Sequence, residues 1–396
     1  MPMFFLSRRW TVVVTLATVV KIVLIILTPP AREWGDFYNW VLNSQQVLLV
    51  VSSGHLASLW GMGAYLGLSV LVSPLLWLWS ALPTQHIALG NIAAHPSLSH
   101  SFLLVMKLPI LALDITTGLL VRKLVHIHDH TLTGTRAFLA WYLNPYTWVW
   151  LYWYSTYDII PTAIVTLSVL VAMKGRWFQS GICLSVTCLL RLFPALIFPF
   201  FLVFANRTGR QSVLRVVLGF IAPLIAALMA LSVATGSTPF GLLSESLGIP
   251  LRQPWLLDFY GFSVTDSSIS LMPFFLLVQL YLVLVWKNKR YSLMHGTLVS
   301  LLAVFVGAYH HGYHFLWASP FLTSHLDLDR ATTPLYVLTY ILAFFSPISY
   351  EGGVIVIFDP HLYPLLALGL TITGGAFVAC KAFYLLRINT KAISVA

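Results

Sequence analysis

Long apolar runs separated by short polar stretches set the rhythm of this chain. A helix needs about 20 apolar residues to cross the hydrocarbon core of a bilayer. Runs of this kind lie near 11–28, 62–82, 101–121, 137–153, 159–173, 178–205, 214–235, 268–286, 293–309, 313–325, 332–347 and 362–386. The 178–205 run is interrupted at "RLFP" and divides into two short helices, 178–190 and 193–205. The pattern predicts one all-α, polytopic membrane helical bundle spanning 1–396, with about 11–13 transmembrane helices.

The polar stretches between the runs give the orientation. Lys and Arg concentrate on the cytoplasmic side of membrane proteins. Arg8 and Arg9, "RK" at 122–123 with Arg136, "KGR" at 174–176, "NRTGR" at 206–210 with Arg215, "KNKR" at 287–290 and the tail with Lys381, Arg387 and Lys391 fall on that side. Residues 29–60, 154–158, 191–192, 236–266, 309–312 and 348–361 then share the external face. A single crossing at 62–82 breaks the alternation with the first helix. Either Pro74 marks a re-entrant hairpin there or a neighbouring span is misplaced, and both readings stand. The loop 29–60 is amphipathic with aromatics at its ends, as in a helix lying in the membrane interface. The other large external loop, 236–266, holds Glu245, Arg252, Asp258 and Asp266.

Composition confirms the class. Hydrophobic residues make up 59% and charged residues 9%, against roughly 25% charged in a soluble domain. The net charge of +10 lies in the short loops and is an orientation signal, with no nucleic-acid partner implied. Cys183, Cys188 and Cys380 lie inside apolar runs, without disulfide or metal spacing. The first apolar run lacks a small-residue cleavage site and is read as an uncleaved helix. The sequon "NRT" at 206–208 falls on the cytoplasmic side and is expected to stay unmodified; "HIHDH" at 126–130 is read as a solvated loop there.

Charge at membrane depth costs about 2.5–3.5 kcal/mol per residue on insertion scales, so each retained charge asks for a role. Glu33 and Asp36 stand among aromatics just after the first helix. They read equally as solvated loop acids or as a partly buried carboxylate able to serve as a general base. Lys107 and Asp114 lie about 10 Å apart on one helical face, too far to pair directly. Lys107 can meet a lipid phosphate; Asp114 is better read as a structural partner of Lys21. Asp158, after Tyr157 in "LNPYTWVWLYWYSTYDIIPTA", is a helix N-terminal acid in an aromatic setting suited to a sugar ring. Arg191 sits at the apex of the 178–205 hairpin, where its planar fork suits phosphate. His310, His311 and His314 gather in "YHHGYHFLWASPF". Their spacing is compatible with metal, but phosphate contact is the better reading because a glycine interrupts the helix and no carboxylate is near.

Several of these segments, in order, resemble the GT-C group of membrane glycosyltransferases. The likeness is to prokaryotic polyprenol-phosphate-mannose-dependent mannosyltransferases and to the first mannosyltransferase of GPI-anchor synthesis. It is carried by "GDFYNW", "SPLLWLW", "KLPILALD", "LNPYTW", "STYDIIPTA", "KGRWFQSGICLSVTCLLRLFPALIFP" and "YHFLWASPF". It covers residues 1–210, read as a core-like module before a C-terminal transmembrane module 211–396, and recurs near 310–320. The family often has Lys where Arg191 stands, Gly-Gln and Asp around the position of "STYD", and a cleaner acidic pair than Glu33 and Asp36.

The resemblance implies transfer of a hexose, mannose in the related enzymes, from a polyprenyl-phosphate-linked sugar to a lipid or glycan acceptor on the external face. Asp36 would be the catalytic base and Asp158 would orient sugar or acceptor. Glu33, Lys107, Arg191, Tyr157, His310, His311 and His314 would line the substrate. No cofactor is implied, and a divalent metal requirement stays open. A small membrane subunit is a further partner in this group. Two rivals remain: a transporter or lipid flippase, and a noncatalytic subunit of a transferase complex. The membrane would be the plasma membrane in a prokaryote or the endoplasmic reticulum in a eukaryote.

Overall fold

The computed structural model describes residues 8–27, 100–130, 132–153, 156, 158–191, 193–235, 238–241, 283, 292–307, 312–328, 333 and 337. Glu33, Asp36, Tyr157, His310 and His311 lie outside them, as do 62–82, 362–386 and the loops 29–60 and 348–361. So does all but an isolated position or short piece of 236–266, 268–286 and 332–347.

The described residues form helices α1 (Arg8–Leu27), α2 (His100–His128), α3 (Thr135–Tyr142), α4 (Pro145–Trp148), α5 (Ile159–Met173), α6 (Trp177–Leu190), α7 (Phe198–Thr208), α8 (Arg210–Thr235), α9 (Leu293–Gly307) and α10 (Ser319–Leu328). A π-helical turn (Val149–Trp153) follows α4, and 3-10 turns (Phe193–Leu196 and Gly312–Trp317) precede α7 and α10. No strand occurs among these residues.

Among the described residues, two helices are long and apolar enough to cross a membrane: Trp10–Leu27 within α1 and Arg210–Ala230 within α8. Only 17% of either span is buried inside the protein. Leu16, Val20 and Leu27 on α1, and Leu214, Leu218, Ile225 and Met229 on α8, turn outward. A helix in a soluble core buries its apolar stripe against neighbours; a bilayer would cover these instead.

Polar and small residues bring the other helices together. Ser168 on α5 and Ser180 on α6 exchange hydroxyl-to-carbonyl hydrogen bonds at 2.8 and 3.0 Å. Gly181 on α6 faces Val216 on α8, and Gly219 on α8 faces the Phe178 carbonyl of α6, so close that a Cβ at either glycine would strike backbone. Small residues of this kind let helix backbones approach closely.

Several expected spans match closely. The run 159–173 is α5, the break at "RLFP" separates α6 from α7, and 11–28, 214–235 and 293–309 fall on α1, α8 and α9. Three expectations are corrected. The run 137–153 is not one helix but α3, α4 and the π turn. Asn144, extended at ψ 122 before Pro145, ends one helix and caps the next through its side-chain oxygen, which accepts from the Tyr146 N–H at 2.8 Å. The Trp148 indole donates to the Tyr142 carbonyl at 2.9 Å, satisfying an acceptor left by the end of α3. The run 313–325 is likewise a 3-10 turn and then a fresh start at Ser319, with Pro320 in the first turn of α10. Finally, α2 continues through His128, so most of "HIHDH" is helical. At that end His295 of α9 lies between His128 of α2 and His325 of α10, with ring centroids 6.4 and 4.1 Å away.

Candidate functional site

The helix breaks at Asp158, Arg191 and Trp317 meet in space. Asp158 precedes α5, where its side chain makes no hydrogen bond to the helix start. Arg191 terminates α6 with an extended backbone, φ −152 and ψ 139. Trp317 closes the 3-10 turn Gly312–Trp317. Three chain breaks distant in sequence thus supply side chains to one place.

The Asp158 carboxylate is fully buried. Arg191 grips it in a fork: Nε donates to Oδ1 at 3.0 Å and Nη2 donates to Oδ2 at 3.1 Å. Trp317 Nε1 donates to Oδ1 and the Thr156 hydroxyl to Oδ2, each at 3.1 Å. Phe193 stacks flat on Trp317, with centroids 3.8 Å apart and planes 8° from parallel. Tyr146 meets Phe315 edge to face at 6.0 Å. The Arg191 side chain keeps 24% of its surface exposed while its carboxylate partner keeps none. The buried carboxylate therefore fixes the guanidinium in place, and Arg191 is the partner whose side chain reaches the surface.

A second polar cluster lies between α1, α2, α3 and the π turn. Lys21 Nζ donates to Asp114 Oδ2 at 2.6 Å, with both side chains fully buried. The ammonium also sits 3.2 Å from the Tyr142 ring centroid. Asp114 accepts further from the Tyr152 hydroxyl at 2.6 Å and from Trp141 Nε1 at 2.7 Å. This is the partnership expected of Lys21 and Asp114. Lys107, read from the sequence as able to meet a lipid phosphate, is buried, and its Nζ donates to the Tyr152 carbonyl at 3.3 Å. One tyrosine thus spans the distance that keeps Lys107 and Asp114 from pairing directly.

Asp158 and Arg191, two of the residues singled out in the sequence, are brought together, and Lys107 joins the second cluster. His314 belongs by its backbone to the turn that ends at Trp317. Sequence reasoning missed Trp317 and Thr156 as partners of Asp158, and Tyr152 and Trp141 as partners of Asp114. The available signal was chemical: an indole N–H or phenol buried in an apolar setting needs an acceptor, and acceptors with charge are scarce in this chain. Among the described residues no group of three or more His, Cys, Asp or Glu is placed to hold a metal ion.

No protein-family model, curated protein or solved structure matches this chain.

Proposed function

We propose that this chain is a polytopic membrane glycosyltransferase that moves a hexose from a polyprenyl-phosphate carrier to a lipid-linked or glycan acceptor on the extracytoplasmic side. Mannose is the sugar the sequence resemblance favours. The observation that carries the proposal is the Arg191–Asp158 fork: a partly exposed arginine side chain whose guanidinium is locked by a buried carboxylate, with the stacked Phe193–Trp317 pair beside it. A locked guanidinium suits a phosphate leaving group, because preorganised charge needs no rearrangement when negative charge develops.

In this reaction an acceptor hydroxyl oxygen attacks the anomeric carbon as the carbon–oxygen bond to phosphate breaks, with inversion at that carbon. The hydroxyl proton passes to Asp36, proposed as the base, and the electron pair leaves on the lipid phosphate beside Arg191. Asp158 is assigned the positioning of Arg191, since protein donors already occupy both of its oxygens. Glu33, Tyr157 and the histidines at 310, 311 and 314 remain candidates for the substrate rim.

The test is sugar transfer in proteoliposomes containing polyprenyl-phosphate mannose and a lipid-linked acceptor. Wild-type protein is expected to form product and Asp36→Asn to form none while remaining folded. Normal turnover by Asp36→Asn removes that residue from the base role. The buried Lys21–Asp114 pair favours one second reading, a transporter or flippase, because ionisable groups within spans often mark substrate pathways. Lipid or solute flux in the same vesicles without acceptor would support that reading instead. Product formed only after a small membrane subunit is added would make this chain one part of a complex.

A further inference from the structure

We infer that the buried Asp114–Tyr152 contact positions the Asp158–Arg191 site by holding the π-helical turn that leads to it; the inference rests on the function proposed above. Tyr152 lies in the turn Val149–Trp153 and is held to α2 at two points. Its hydroxyl donates to Asp114 at 2.6 Å and its carbonyl accepts from Lys107 at 3.3 Å. Seven residues separate those anchors on α2, about two helical turns, so the tyrosine is fixed both along and across that helix. Asp114 is itself held by Lys21 and Trp141.

The same short stretch carries the opposite attachment. The Thr156 N–H donates to the Trp150 carbonyl at 3.0 Å, and the Thr156 hydroxyl donates to Asp158 Oδ2 at 3.1 Å. The register of the π turn therefore decides where Thr156 stands, and Thr156 helps to aim the carboxylate that aims Arg191. π-helical turns are rare and occur often at functional sites. Here side chains from α2 select the turn. A displacement of about 1 Å at a reacting centre can cost roughly a hundredfold in rate, so an anchor remote from substrate can govern the reaction.

Tyr152→Phe tests this, because it keeps the ring and deletes the hydroxyl that donates to Asp114. The indole N–H of Trp317 donates to Asp158 Oδ1, so its nitrogen–proton NMR signal reports on the carboxylate without requiring activity. In full-length protein in lipid nanodiscs, assigned with Trp317→Phe, this signal is expected to move in Tyr152→Phe. It is expected to stay in place in Ser168→Ala, which loosens the α5–α6 contact and controls for general destabilisation. In transfer assays Tyr152→Phe should raise the KM for the polyprenyl-phosphate sugar about tenfold, and its effect should be non-additive with Arg191→Lys. An unmoved Trp317 signal, or an equal shift in Ser168→Ala, overturns the inference. A moved signal in a protein whose wild type transfers no sugar upholds the positioning and overturns the transferase reading.

Discussion

Replacing Lys21 with Met removes the cation from a pair in which neither side chain has any exposed surface. Breaking a buried ion pair from one side costs about 3–5 kcal/mol, because the remaining charge has lost its counterion. Asp114 retains the Tyr152 hydroxyl and the Trp141 indole as donors at 2.6 and 2.7 Å, which favours the lower end of that range. Loss of the ammonium over the Tyr142 ring, 3.2 Å from its centroid, adds up to about 2 kcal/mol. The expected cost is therefore about 3–5 kcal/mol in total. Lys21→Met combined with Asp114→Asn removes both charges; the amide oxygen can still accept from the Trp141 indole, and the amide NH2 can donate to the Tyr152 hydroxyl. The double variant should be less destabilised than Lys21→Met alone. Unfolding in mixed micelles, followed by near-ultraviolet circular dichroism, measures each step. Costs that simply add, or a single-variant cost below about 1 kcal/mol as for an exposed pair, would refute the reasoning.

Two further outcomes follow from other parts of the molecule. Gly219→Leu should separate α6 from α8 and lower the melting temperature sharply, since even a Cβ at that position strikes the Phe178 carbonyl; Gly175→Ala, with nothing within 4 Å of its Cβ, should do far less despite its positive φ. Burial depresses the His128 imidazole below its ordinary value of 6.5, with Asp129 opposing the shift. The neutral form is thus favoured by folding, so its contribution is intact above pH 6.5 and is lost as pH falls below that value. Melting curves across that window should show the loss, and His128→Gln should flatten the dependence.

The sequence shows the elements whose ends carry their own chemistry. The span 159–173 coincides with α5 because a run of apolar residues ends sharply at "KGR". The break at "RLFP" was legible because a proline and a cation interrupt the apolar run. The span 137–153 looks like one helix in the sequence because "LNPYTW" is nearly as apolar and aromatic as its surroundings; the Asn144 cap and the extended Asn144 backbone are local events that averaged hydrophobicity conceals. The end of α2 is hidden in the sequence because its last turn is histidine-rich, and helices can outlast their apolar stretch. At the candidate site, the scarcity of charge pointed to Asp114 and Lys21 as partners. The Asp158–Arg191 pairing was legible only as a shared side of the membrane, since 33 residues separate the two. That Trp317 rather than another of the chain's tryptophans donates to Asp158 depends on how the 3-10 turn packs, which no pattern in one dimension encodes.

The central claim is that the guanidinium fixed by Asp158 binds the phosphate of a lipid-linked sugar. Initial rates of transfer from polyprenyl-phosphate mannose, measured across donor concentration for wild type, Arg191→Lys and Arg191→Ala in the same proteoliposomes, test it most directly. Arg191→Lys keeps the charge and loses the fork, and should raise KM for the donor about tenfold; Arg191→Ala should lower kcat/KM by about a hundredfold or more. Wild-type kinetics in folded Arg191→Ala would contradict the account.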